Sequence, residues 1–438
     1  MTELEKPQAK TGAPFKEYRL RPELLGELHA RPFEKMDVPR RVFLMAFLTN
    51  AESAKADRAE IEKICISHAI SPPLPTANYH IMNLGKWTVR WEQHNEFTTY
   101  RWDVEDDAFD EKGNDLGERL LDELNFSAPG DLIVATEIKI TKNSFALEDY
   151  QKMFDPASLC VIEADRGRAR IASDFQADLK GFTHFVVEDH GLGPYRVGAL
   201  VQRLLEVETY RLLALMGLPV AKKAMPVVNA AQVGLADLTM AISNAKTMED
   251  NHALLKKLTD LAAALEAQAA TTSYRFAASQ AYYDIVLARL ATMHENPVDG
   301  ARRFSSFFKR RLTPAVATCK TVEERQNGLS RKLMRTAELL RTRIQFELEQ
   351  QNRDLLKSMN QRAKLQLRLQ QTVEGLSVAA VSYYIVGLVK YAADGLYKYD
   401  LTLGLSPTIL TALSVPLVIG MIWYITRRIH KKFTEDEE

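Results

Sequence analysis

Two long runs without charge near the C-terminal end constrain this chain most. No Asp, Glu, Lys or Arg occurs from Gly375 to Val389 or from Leu401 to Thr426. As a helix, residues 375–393 rise ~28 Å, enough to cross a hydrocarbon core if Lys390 extends its ammonium to the interface. Ser406 and Pro407 supply an N-cap and a first helical position for a second span, 406–426. The pattern predicts a two-helix transmembrane hairpin: residues 375–393, an outer loop 394–405, residues 406–426, then a basic and finally acidic tail, 427–438. Arg362, Lys364 and Arg368 precede the first span, and Arg427, Arg428, Lys431 and Lys432 follow the second. The loop holds Asp394, Lys398 and Asp400. Positive flanks stay on the cytoplasmic side, so both termini are expected in the cytoplasm, with the lipid bilayer as a partner. The first residues are polar and carry acids, which does not fit a secretory signal. Three scattered cysteines, Cys65, Cys160 and Cys319, suit a reducing compartment and exclude a disulfide framework.

The region before the hairpin reads as two kinds of structure. Residues 1–190 alternate strand-like and helix-like segments, which predicts a cytoplasmic α/β domain with a mixed sheet. Strands are expected at Arg41–Leu48, at Trp87–Glu92 and Phe97–Val104 around a turn at His94-Asn95, and at Asp131–Thr141. Further strands are expected at Leu159–Ala164 and Arg168–Asp174, joined through Asp165-Arg166-Gly167, and at Phe182–Glu188. Helices are expected near Ser53–Ile70, Asp115–Leu124 and Glu148–Phe154. Residues 191–312 read as helical, with Arg196–Met216 stopping at Gly217-Leu218-Pro219 and helices following at Ala230–Ala245 and Met248–Met293.

Residues 313–374 then read as one stalk helix with a coiled-coil seam. Leu333, Ala337, Leu340, Ile344, Leu348, Gln351, Leu355, Met359, Arg362, Leu365 and Leu369 keep mostly three–four spacing. The fold class expected is α+β/α, with a homo-oligomer formed through the stalk. Charge is segregated. Ten acids against Lys112 and Arg119 lie between Asp103 and Leu124, and seventeen lysines and arginines against six acids lie between Ala301 and Thr372. Lys plus Arg equals Asp plus Glu over the whole chain, which argues against a nucleic-acid partner held by bulk charge.

Several segments resemble a known family. SYRFAASQAYYDIV (273–286), RRLTPAVATC (310–319) and the run 325–391 resemble proteobacterial membrane-anchored proteins that share a domain of unknown function. LHARPFE (28–34) and VETYRLLALMGLP (207–219) are similar to segments of the same family. The resemblance implies a bacterial inner-membrane protein and brings no activity, substrate or catalytic residue with it. The layout is also similar to that of CorA-type magnesium channels, in which a stalk helix runs into the first span. Their Gly-Met-Asn is replaced here by Ala393-Asp394-Gly395, and Lys390 sits near the outer mouth.

The candidate functional cluster is Glu27, His29 and Arg31, since a histidine titrates near neutrality and a guanidinium fork holds carboxylate or phosphate. Gly191-Leu192-Gly193, with Gly198 beyond, follows a strand and precedes a helix. The spacing is not that of a dinucleotide loop and Pro194 removes a donor, so a simple strand-to-helix turn is expected. The acidic residues 103–111 offer weak Mg²⁺ or Ca²⁺ binding, a solvated loop, or a mate for a basic stalk. Gly375, Ser377, Ala380, Tyr384, Gly387 and Lys390 are the candidate lumen or interface residues of the first span. No Walker A loop, HExxH, GxSxG or metal-ligand spacing occurs. The expectation is therefore no enzyme and no cofactor. The functional expectation is a multi-pass inner-membrane scaffold or sensor acting through its cytoplasmic body, with a CorA-like ion transporter as the alternative.

Overall fold

The computed structural model of the chain describes residues 18–21, 34–75, 77–105, 127–398 and 406–435. These fall into two compact units, residues 1–244 with 256–337, and residues 245–255 with 338–438.

The first unit is built on a nine-stranded mixed sheet in the order β2-β3-β4-β1-β5-β8-β7-β6-β9. The strands are β1 (Arg40–Leu48), β2 (Tyr79–Leu84), β3 (Trp87–Gln93), β4 (Phe97–Glu105), β5 (Asp131–Thr141), β6 (Cys160–Ala164), β7 (Ala169–Ser173), β8 (Thr183–Asp189) and β9 (Asn296–Pro297). Among the described strand pairs only β5–β8 is parallel. β1 lies between β4 and β5, and both its faces are covered. That is why it reads as an almost unbroken apolar run rather than an alternating one. Val42, Leu44 and Ala46 join one core with Ile138, Ile140, Phe185 and Val187. Phe43, Met45 and Phe47 join another with Trp87, Trp91, Tyr100 and Trp102. Helix α1 (Ala51–Ser67), capped by Asn50 with Ser53 in a reciprocal box, closes the second core with Ile61 and Cys65. Helix α2 (Leu147–Met153) covers the other half of that face through Tyr150.

The first core is closed by α3 (Pro194–Leu215), the end of α5 (Met248–Thr292) and α6 (Phe304–Arg311). The β6–β7 hairpin turns where expected, with Asp165, Arg166 and Gly167 all at positive φ. The unit also holds α4 (Gly217–Asn244) and the start of α7 (Thr313–Lys398). A Cβ at Gly217 would meet Ser279 Oγ at 2.5 Å and Cys319 Sγ at 2.9 Å, so this glycine allows three helices to approach closely. Arg325 donates to Asn229 and Gln232, and Thr272 bonds Gln326.

Three elements differ from the sequence reading. α3 stops at Leu215, just before Gly217-Leu218-Pro219 as expected, but the next helix does not wait until Ala230: these residues open α4, and Pro219 sits in the first turn, where its missing N–H has no intrahelical acceptor to serve. β2 shows no alternation, and Met82 is its single buried residue. α6 is short and polar apart from three phenylalanines.

In the second unit, Leu254, Leu340 and Ile344 are buried, Asn251 donates to Glu347 at 3.2 Å, and Arg343 donates to Ala245 O at 3.1 Å. Beyond this point the seam residues Leu348, Leu355, Met359, Leu365 and Leu369 are all exposed. The expected stalk and first span form one helix, α7. Helix α8 (Pro407–Glu435) starts where Ser406 O accepts from Ile409 N and Leu410 N. Ser382 and Ala393 are the buried residues of the apolar end of α7. Val378, Ala379, Val386, Val415 and Ile419 line a shallow groove between α7 and α8.

Candidate functional site

The site is set by the period of two in β3 and β4. Trp87, Val89 and Trp91 face α1, so Arg90 and Glu92 point to the opposite side. On β4, Tyr100 and Trp102 face α1, which turns Thr99, Arg101 and Asp103 the other way. An alternating strand of this kind is expected to leave its polar side in water. Here it does not: α3 lies over it, and Arg90 and Arg101 are 2% and 5% exposed.

The register places Arg90 directly opposite Arg101. Like charges at such a pair repel, so the arrangement stands only if carboxylates bridge them. Glu34 does this, with one oxygen 3.5 Å from Arg90 and the other 2.8 Å from Arg101. Asp103 takes Arg101 through two further bonds of 2.9 and 3.1 Å, and Glu92 lies 3.5 Å from Arg90. Burial works against the Arg101 charge, but Asp103 and Glu34 outweigh it and raise its pKa.

Over this layer lies a small cavity of about 70 Å³, lined by Arg90, Arg101, His94, Thr99, Gln202 and Tyr210 among others. That volume is well below the range of small-molecule sites and suits a few water molecules. His94 stacks on Phe97 at 4.2 Å, and Tyr210 stacks on Tyr282 at 5.5 Å. Gln202 donates to Glu206, which also holds Arg289. Its Oε1 is buried without a hydrogen-bond partner among the described residues. The cavity wall therefore offers acceptor and donor groups in a charge-balanced setting, which suits a few ordered waters or one very small polar group.

The glycine loop positions α3. Asp189 accepts from Gly191 N at 2.9 Å and Leu192 N at 2.7 Å, so a carboxylate of the chain itself occupies the donors that a phosphate would need. This is the strand-to-helix turn expected for 191–193. Gly198 serves close packing instead, because a Cβ there would overlap the carbonyl oxygen of Glu34. The missing side chain lets the backbone of Glu34 lie against α3, and Met36 N donates to Pro194 O at 3.1 Å beside it.

A second polar node lies elsewhere in the unit. His184 bridges Glu137 at 3.2 Å and Asp178 at 2.9 Å, and Glu137 also pairs with Arg41. Bonding to Glu137, then to Asp178 and against the cost of burial, raises the His184 pKa to about 9. Among the described residues no cluster of His, Cys, Asp and Glu could hold a metal ion, and the three cysteines are buried and free.

Glu27, His29 and Arg31 lie outside the described residues. Of the 28–34 segment only Glu34 is described, and it is the bridge between the arginines. From the acidic run, Asp103 and Glu105 pair with Arg101 and Arg40, and 106–126 lie outside the described residues. Ser377, Ala380, Tyr384 and Lys390 are exposed and Gly387 half-exposed, whereas Gly375 lines the groove between α7 and α8. Sequence reasoning missed Arg90, Arg101 and Gln202. The available signal was the coincidence of two polar strand faces with an α3 whose buried positions cover more than one narrow stripe.

A mixed sheet clad by helices and continued into apolar C-terminal helices defines an α/β protein with a helical extension. Among the described residues three helical stretches are long and apolar enough to cross a membrane: Pro194–Asn244, Phe304–Leu396 and Pro407–Arg428. The chain belongs to the family described as protein of unknown function (DUF3422), whose family model matches residues 16–433. Neither a curated protein nor a solved structure matches it.

Proposed function

We propose that this is a membrane-anchored protein of the bacterial inner membrane, held by the hairpin of α7 and α8 with both termini in the cytoplasm. In this reading it acts as an oligomeric scaffold or sensor. The observation that carries the proposal is the exposed apolar surface of the two helices. Leu376, Tyr384, Leu388 and Tyr391 on α7 are 67%, 72%, 68% and 77% exposed, and Leu413, Leu417 and Met421 on α8 are 65%, 71% and 66% exposed. Apolar surface on this scale is covered by lipid or by protein. The stretch 194–244 is not used as a span in this reading, because α3 buries Val197, Val201, Leu204 and Leu213 in the sheet core.

The sensing role is supported by the cavity under α3, which joins the sheet to the helices through Glu206–Arg289 and Glu96–Arg275. We assign it binding rather than catalysis, because its charged groups are engaged with one another. Oligomerisation is supported by the uncovered seam from Leu348 to Leu369. Leu355→Asp would place a charge in an apolar contact and abolish the higher species on crosslinking in membranes. An unchanged crosslinking ladder would overturn the stalk-mediated oligomer.

The alternative, a CorA-like transporter, is favoured by one observation: Ser377, Ala380, Tyr384 and Tyr391 share a helical face of α7 that is exposed. In an oligomer such a face is available to line a lumen. Lys390 beside it weighs against cation passage.

A further inference from the structure

A second concave region, with no lining residue in common with the cavity under α3, lies where α5, α6 and α7 meet. Helix α6 is amphipathic by the placement of three phenylalanines. Phe304, Phe307 and Phe308 are buried around Phe175, with ring centroids 4.8–4.9 Å away. Ser305, Ser306, Lys309 and Arg310 are thereby left on the outside. Between Gly300 and Val322 the chain carries Arg302, Arg303, Lys309, Arg310, Arg311 and Lys320 and no acid. Arg302 donates to Ala157 O, and Arg311 lies over the Phe307 ring at 4.8 Å. Arg303, Lys309 and Arg310 have no carboxylate partner among the described residues. These groups line an open basic concavity of about 1140 Å³.

Ser305 and Lys309 also line a neighbouring groove of about 490 Å³, whose remaining walls include Tyr283, Leu287, Leu290 and Thr313. This groove is apolar for a structural reason. The Tyr283 hydroxyl is spent on Thr313 Oγ1 at 2.7 Å, and the Glu295 carboxylate accepts from Ser305 N at 3.2 Å. The start of α6 is therefore already capped and is not itself the anion site. Leu287 is 43% exposed in the groove. Lys309 stands at the boundary and lines both the groove and the basic concavity, a position that suits an amphipathic side chain.

We propose that this composite site binds a single-chain anionic amphiphile, a fatty-acid-like molecule with a carboxylate or phosphate-monoester head. The acyl chain lies in the groove along Leu287 and Leu290, and the head lies on Lys309, Arg310 and Arg303. The two halves fix the class together. An inorganic anion uses only the cationic rim, and a neutral lipid uses only the trough. The site does not depend on whether α7 and α8 cross a bilayer.

The test uses the full chain in phosphatidylcholine nanodiscs, titrated with dansyl-undecanoic acid and read as fluorescence above that of empty discs. Saturable binding is expected, displaced by laurate but not by lauryl alcohol or inorganic phosphate. Lys309→Glu with Arg310→Glu should weaken binding about tenfold or more, in a salt-sensitive way. Leu287→Gln should weaken it without changing the salt dependence, and Lys309→Arg should retain it. Near-ultraviolet circular dichroism verifies that each variant is folded. Several results would each overturn the proposal: no signal above empty discs, equal displacement by phosphate or by the alcohol, or unchanged affinity in the folded rim variant. Binding to anionic vesicles that ignores Leu287→Gln, with no binding of the fatty-acid probe, would also overturn it and assign the rim to bilayer headgroups.

Discussion

Replacing Glu34 with Gln removes the carboxylate that lies between two facing guanidiniums. The side chains of Arg90 and Arg101 are 2% and 6% exposed, so neither can turn to water without opening the layer under α3. Two unit charges ~6 Å apart at an effective dielectric of ~20 repel by ~3 kcal/mol. In the wild type the bridging carboxylate offsets this. Breaking one partner out of a buried ion cluster costs about 3–5 kcal/mol. Asp103 remains on Arg101 and Glu92 on Arg90, which places the expected loss at the low end, ~3 kcal/mol. The assay is urea unfolding of the full chain in nanodiscs, read by tryptophan fluorescence. Trp87, Trp91 and Trp102 lie on the reverse face of the strands that carry the arginines and report this unit. With an m-value of ~3 kcal/mol per M, the midpoint should fall by ~1 M. Adding Arg90→Leu to Glu34→Gln removes the uncompensated repulsion and should restore part of the loss. A change below about 0.5 kcal/mol for Glu34→Gln, with no coupling to Arg90→Leu, would refute the bridged-arginine account.

Two further outcomes follow from the same physics. His184 has its pKa raised to about 9 by Glu137 and Asp178, so its ion pairs contribute stability that is complete below the unfolded value near 6.5 and is lost as pH rises through about 9. The stability gap between wild type and His184→Gln should be full at about pH 6 and close by about pH 10; a gap independent of pH would contradict the assignment. For the channel alternative, Lys390→Asp should raise cation flux in proteoliposomes if the exposed face of α7 lines a lumen, whereas a hairpin that is only an anchor carries no flux in either form.

Much of the sheet was legible because its strands announce themselves locally. β1, β5 and β8 are apolar runs of strand length, and the Asp165-Arg166-Gly167 turn fixes its hairpin. The long helices were legible because nothing breaks them: α7 has no proline after Pro314 and tolerates Gly328 and Gly375 in its interior. The functional layer was hidden by tertiary covering. Arg90 and Arg101 look like the wet side of an amphipathic ribbon, and no local pattern tells that α3 will lie on them. Gly198 follows a glycine loop in sequence, while its role is steric and depends on a residue far away along the chain. The seam of α7 was legible as a periodicity, but its partner was not. The same spacing covers Leu333, Leu340 and Ile344, which the chain buries, and Leu355 to Leu369, which it leaves exposed.

The central claim, that α7 and α8 form a hairpin crossing a bilayer twice, is tested most directly by labelling its two ends from outside. Lys398→Cys marks the end of α7 and Lys431→Cys the end of α8, against a background in which Cys65, Cys160 and Cys319 are buried. In intact spheroplasts a membrane-impermeant maleimide should modify the cysteine at position 398 at once and the cysteine at 431 only after permeabilisation. Labelling of both positions from the outside, or of 431 alone, would contradict the account.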